Sequence, residues 1–232
     1  MQKVPWLYAS PLNTETALRA LVVFPEIYGL NAHTKLVADR CAQQYACNAY
    51  AVDFFYSLTQ TPNDFDYERD KEIALHLLKQ YKGELCIPFF DDVVSQIKEQ
   101  SPSITQVLTL GFCFGGSLVW LTALHPMTKG VISFYGGQTL EPGRINNTSI
   151  AEYVQQNLSH SIDSISLYGE YDHLISEDDR KKITEYATQW GKHTSLIVPA
   201  GHAFANAHRT TYDAQSAQKA WNAVDNFVTL LT

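Results

Sequence analysis

Six short apolar runs recur along the chain, and most are followed by a longer segment whose apolar positions return every three or four residues. The runs are rich in β-branched and aromatic residues and end in glycine, proline or polar residues. They predict strands at 20–24, 48–54, 106–111, 130–135, 164–169 and 194–198. The helical period predicts helices at 33–44, 67–80, 88–100, 117–125, 177–190 and 213–231.

Alternation of this kind implies crossover units and a parallel sheet, because a strand buried on both faces reads as a continuous apolar run. The expected class is α/β: a mostly parallel sheet with helices on both faces, in a single domain over 1–232. Right-handed crossovers would bury the sheet between two helical layers. Segments 56–66 and 141–148 are polar, carry Pro62, Asn63, Pro142 and Gly143, and read as loops.

In an open parallel sheet ligands bind beyond the carboxyl ends of the strands, so the residues after each run carry the chemistry. After the third run comes Leu110-Gly111-Phe112-Cys113-Phe114-Gly115-Gly116, a Gly-x-Cys-x-Gly element. A strand-to-helix elbow holds its central residue on a strained turn above a helix N-terminus, which favours an anion such as a thiolate. The fifth run leads into Gly169-Glu170-Tyr171-Asp172-His173 and the sixth into Ala200-Gly201-His202-Ala203-Phe204. Nucleophile, acid and histidine in that order give Cys113, Asp172 and His202: His202 would take the thiol proton, and Asp172 would hold its tautomer. The oxyanion donors would be the backbone N–H groups of Phe114 and of Ile27, the latter in the loop after the first run.

Each residue also has a structural reading. Asp172 could cap a turn, and His202 could be a satisfied loop histidine. Glu26, directly after the first run, could pair with a surface cation or accept the thiol proton. Cys41, Cys47 and Cys86 read as inert small hydrophobes, and the other histidines as surface or packing residues. Phe55, Tyr56, Phe112, Phe114, Tyr135 and Phe204 could line an apolar pocket, although core packing explains most of them equally well.

Composition narrows the partners. The 232-residue chain has a net charge of -7 and no basic stripe, which argues against nucleic acid and anionic membrane surfaces. Residues 1–10 carry one lysine and no long apolar run, so neither a signal nor an anchor is expected there, and a cytoplasmic setting is expected. Four cysteines without Cys-x-x-Cys spacing fit neither a zinc cluster nor a disulfide framework, and a disulfide oxidoreductase is set aside. The chain is expected to be a monomer or small homo-oligomer.

The four blocks Phe24-Pro25-Glu26-Ile27-Tyr28-Gly29-Leu30-Asn31, Gly111 to Gly116, Gly169-x-x-Asp172-His173 and Ala200 to Phe204 resemble the dienelactone hydrolases, in order and spacing across nearly the whole chain. The resemblance implies the α/β-hydrolase fold and hydrolysis of a small-molecule ester or enol-lactone, with no metal or organic cofactor, by a cysteine nucleophile with its Asp and His partners and a glutamate that helps ionise the thiol. Family members acting on dienelactone hold the substrate carboxylate with two basic residues. Here those positions offer Arg69 and Lys71 on one side, and Asn206, with Arg209 a little beyond, on the other. Arg69 and Lys71 also read as a solvated, salt-bridged helix start, and an amide at 206 loses the charge-assisted fork of arginine. Leu75 and Leu78 stand near where the family has aromatic pocket residues, Tyr135 remains a candidate substrate contact, and the family's amino-terminal hairpin is expected to be shortened or absent. The alternative is a non-catalytic, metabolite-binding or thiol-sensing member of the same fold.

Overall fold

A computed structural model describes residues 4–231. Residues 1–3 and 232, at the ends of the expected domain and of the amino-terminal segment, lie outside the described residues. Seven strands form one sheet in the order β1-β3-β2-β4-β5-β6-β7. They are β1 (Leu7–Ala9), β2 (Arg19–Phe24), β3 (Asn48–Val52), β4 (Gln106–Phe112), β5 (Thr128–Phe134), β6 (Asp163–Gly169) and β7 (His193–Val198). All neighbours run parallel except β1 against β3.

The central strands are continuous apolar runs because both faces are covered. Helices α1 (Ala32–Tyr45) and α8 (Ala214–Leu230) touch each other over one side. The other side carries α4 (Cys86–Gln100), α5 (Phe114–Thr122), α6 (Ile150–Asn157) and α7 (Glu177–Trp190), linked in series by their contacts. Short α2 (Tyr56–Thr59) and α3 (Lys71–Gln80) lie in the connection between β3 and α4. No helix among the described residues is long and apolar enough to cross a membrane.

Chain order reverses between β2 and β4: from β2 the chain steps outward to β3, and from β4 it steps the other way to β5. Loops leaving these two strands diverge and open a crevice at the carboxyl edge. Phe24 of β2 pairs with Gly111 of β4, so Glu26-Ile27 and Cys113 emerge side by side at this crevice.

All six expected strands and six expected helices form, with shifted ends. Strand β1 and helices α2 and α6 were not anticipated. Three-residue β1 has no pattern of its own and exists because β3 offers it an edge, whereas α6 was legible in the capping box Ser149-x-x-Glu152, both of whose bonds are present. Helix α3 begins at Lys71 rather than Tyr67. The Asp66 carboxylate accepts the Glu68 and Arg69 amides, at 3.0 and 2.9 Å, and holds 66–69 as a turn.

Candidate active site

Cys113 stands between β4 and α5 with φ 54° and ψ -119°, a conformation that L-residues adopt rarely and at a cost. Its amide donates to the Phe134 carbonyl at 3.0 Å, and its carbonyl accepts the Ser117 amide at 3.2 Å, so strand and helix clamp the turn from both sides. The close approach of α5 to β2 depends on Gly115: a Cβ there would lie 2.2 Å from the Pro25 carbonyl oxygen. Cys113 is partly exposed, whereas Cys41, Cys47 and Cys86 are buried. Burial pushes those three thiols up, Cys47 to about 11, which suits inert core residues.

Parallel pairing of β6 with β7 brings the next two functional loops together. The Glu170 amide donates to Val198 at 2.7 Å and the Tyr171 amide to Ala200 at 2.9 Å. This zip sets His202 Nδ1 at 2.7 Å from Asp172 Oδ2, while Asp172 Oδ1 accepts the Leu174 amide at 2.9 Å. Asp172 therefore caps its own turn and orients the histidine at once. His202 Nε2 is buried and makes no formed hydrogen bond. Burial alone would lower the imidazole pKa, but the neighbouring Cys113 and the bond to Asp172 raise it to about 10.

Glu26 is buried, and burial raises its pKa against the opposing pull of Arg209, His202 and Asn206. Its Oε2 accepts Asn206 Nδ2 at 3.2 Å and lies 3.7 Å from Arg209 Nη1; Oε1 has no partner. Asn206 is fully buried: its Nδ2 also donates to the Tyr67 hydroxyl at 2.9 Å, and its Oδ1 accepts the His208 amide at 3.0 Å. Every polar atom of the Asn206 side chain is thereby engaged within the chain, and the residue holds Glu26 in place.

Arg209, three residues further on, is the cation beside Glu26. The Arg209 guanidinium lies 5.1 Å from the Tyr28 ring and 5.0 Å from the Tyr67 ring, and the Cys113 and Glu26 charges both raise its pKa, although burial works the other way. Tyr67, which the helical period places at the start of a helix, sits in a loop with its hydroxyl accepting Asn31 Nδ2 at 3.0 Å. Only the fold, not residue spacing, could have found Tyr67 and Tyr28.

Arg69 forks onto Asp70 at 3.0 and 2.7 Å with its side chain 75% exposed, and Lys71 is exposed at the first position of α3. Among the described contacts neither touches Cys113, His202 or Glu26. Tyr135 is buried with φ 41°, its ring 5.0 Å from that of His202 and its hydroxyl unpartnered. The Phe114 ring packs on Phe54 and Tyr81, and Phe112 packs on Phe134 and His33, so these two rings serve the core. Phe204 packs on Tyr135. The Phe114 amide, first in its helix, has no acceptor four residues back, and among the described residues neither it nor the Ile27 amide donates within the chain.

A family model for the dienelactone hydrolase family matches residues 6–231. Among curated relatives, "Putative carboxymethylenebutenolidase" of Escherichia coli (strain K12) is 26% identical over 222 residues, 94% of this chain and 79% of its own length. "Probable 2-oxo-3-(5-oxofuran-2-ylidene)propanoate lactonase" of Bradyrhizobium sp is 28% identical over 213 residues, 88% of this chain and 81% of its own. Among solved structures, "Putative Dienelactone Hydrolase from Klebsiella pneumoniae" superposes with a TM-score of 0.80 at 22% identity, covering 96% of this chain and 92% of its own. Thermogutta terrifontis esterase 2 with propionate bound gives 0.67 at 14% identity, covering 97% and 88%. The fold is the α/β-hydrolase fold.

Proposed function

The chain belongs to the dienelactone hydrolase family, and on that premise we propose that it is a cysteine-dependent hydrolase of a small ester or enol-lactone. The observation that carries this reading is the Asp172–His202 bond at 2.7 Å, with the buried, unengaged Nε2 beside a thiol on a left-handed elbow.

In this reading His202 Nε2 takes the thiol proton and the sulfur adds to the ester carbonyl carbon. The oxyanion is bound by the Ile27 and Phe114 amides, which are free to donate. Collapse breaks the C–O bond as His202 returns the proton to the leaving oxygen, leaving an acyl thioester on Cys113. Water, deprotonated by His202, then attacks the thioester; the acid product leaves and the thiolate recovers its proton. Asp172 stays ionised and holds the imidazole with Nε2 towards the sulfur.

Arg209 supports a substrate that carries an anion. It is the cation facing both Glu26 and Cys113, and a substrate carboxylate there would compete with Glu26 for the guanidinium. Released from that partner, Glu26 would be the more basic, and would then be an alternative to His202 as first acceptor of the thiol proton. Arg69 and Lys71 have no comparable support.

The test is a panel of small activated esters and lactones, each with and without a carboxylate. Cys113→Ala and His202→Ala are expected to abolish turnover while circular dichroism stays native, and Arg209→Ala to erase the preference for carboxylated substrates. Stoichiometric acylation of Cys113 with no turnover of any member would favour the thiol-sensing alternative.

A further inference from the structure

Beyond the triad, a second buried carboxylate is tied to the oxyanion loop from behind. Asp53 stands directly after β3, is 1% exposed, and takes no part in the crevice chemistry. Its Oδ2 accepts both the Asn63 amide, at 2.7 Å, and the Asn63 Nδ2, at 2.9 Å; its Oδ1 accepts the Phe55 amide at 3.1 Å. Asn63 in turn is laced to the segment directly after Ile27. The Leu30 amide donates to the Asn63 carbonyl at 2.8 Å, the Phe65 amide donates to the Tyr28 carbonyl at 3.0 Å, and Gly29 and Asp64 form an isolated bridge.

The approach is so close that only glycine fits: Gly29 has φ +71°, and a Cβ there would stand 2.2 Å from the Asn63 carbonyl oxygen. Segment 28–30 therefore has a fixed lateral support; Asp53 is its buried charged anchor and the one acceptor of the Asn63 main-chain amide, while Thr59 Oγ1 and the Thr61 carbonyl also accept Asn63 Nδ2, at 3.0 and 2.9 Å. We infer that Asp53 is the positioning residue for the Ile27 amide, acting through Asn63 to hold residues 28–30 where that amide meets a developing oxyanion. This rests on the reading of Ile27 as an oxyanion donor. Glu26 has its own ties to Asn206 and Arg209, so the clasp governs the amide and not the ionisation of the thiol.

Asp53→Asn breaks the clasp without changing its size. If the new amide turns its oxygen to Asn63, its NH2 faces the Phe55 N–H, donor against donor; if it turns the other way, it faces the two Asn63 donors. Asn63→Ala is milder, since the main-chain bond to Asp53 remains. The experiment measures kcat and KM on a small activated ester, and the rate of Cys113 alkylation by iodoacetamide, all per native thiol at a temperature well below unfolding. Asp53→Asn should lower kcat about 30-fold or more and Asn63→Ala about tenfold, as expected for a displaced oxyanion donor, with KM within about threefold and alkylation within about twofold. A normal kcat in both folded variants, or alkylation falling in step with kcat, would overturn the assignment of Asp53. Turnover persisting in Cys113→Ala would instead sink the reading of the site on which it rests.

Discussion

Gly115→Ala tests whether the approach of α5 to β2 sets the reaction geometry. The added methyl carbon would start 2.2 Å from the Pro25 carbonyl oxygen and 2.7 Å from that of Phe24, both backbone atoms of the segment that delivers Glu26 and Ile27. A tolerable carbon–oxygen contact is about 3.3 Å, so elbow and strand end must part by about 1 Å. No flexible side chain can absorb this. Overpacking of this sort costs about 1–3 kcal/mol of stability, and a misplacement of about 1 Å between reacting groups costs about 100-fold in rate. Because Cys113 moves with α5 while Ile27 moves with β2, the loss should fall mainly on kcat. The assay pairs urea unfolding with steady-state kinetics on an activated ester, and alkylation of Cys113 reports on the thiol alone. Activity within threefold of the parent, in a protein of unchanged stability, would refute the claim that the glycine spaces nucleophile and oxyanion donor.

Asp172→Asn should leave the fold largely intact and lower kcat by about a thousandfold or more, measured on the same ester, because the amide no longer fixes the tautomer that presents Nε2 as a base. Asn206→Ala strips a buried donor from both Glu26 and Tyr67 and should cost about 1–3 kcal/mol in urea unfolding. It also removes a bond that favours the Glu26 carboxylate, so any acid limb of the rate due to Glu26 should move to higher pH; a limb moving to lower pH would contradict this. Burial holds the Asp53 pKa near 6, above its ordinary 3.8, despite bonds from Asn63 and two amides that pull the other way. At Asp53 the folded state thus binds more protons than the unfolded one between these values, and the Asp53 contribution to stability should fall as pH rises from about 4 to about 6, by up to about 3 kcal/mol. His33 and His193, lowered to about 4 by burial, contribute with the opposite sign in this window, so the test compares the parent with Asp53→Asn by calorimetry: the stability difference between them should decline with rising pH, and a difference that grows would contradict the assignment.

The strand runs, the elbow and the loops carrying Glu26, Asp172 and His202 were legible because each is local. A buried parallel strand has to be apolar throughout, and the chain has to turn where the strand ends, so run and turn residues sit next to each other in sequence. The start of α3 was misplaced for the opposite reason: the helical period continues through Tyr67, and only the competing Asp66 side chain stops it. Likewise Arg69 and Lys71 are cations at the expected position, yet Arg69 is occupied by its neighbour Asp70 while Arg209 reaches the site.

By itself the sequence determined the fold class and the chain order of the proposed nucleophile, acid and base, since these depend on residue type and on what stands immediately beside them. Tertiary structure alone decided which charges meet. Glu26, Asn206 and Arg209 converge with Tyr67, and Asp53 reaches Asn63, across loops whose ends are fixed by strand order, and no periodicity along the chain encodes that distance. A hydrogen bond or ion pair acts over a few ångströms in space, and for residues far apart in sequence only the packed sheet sets that separation.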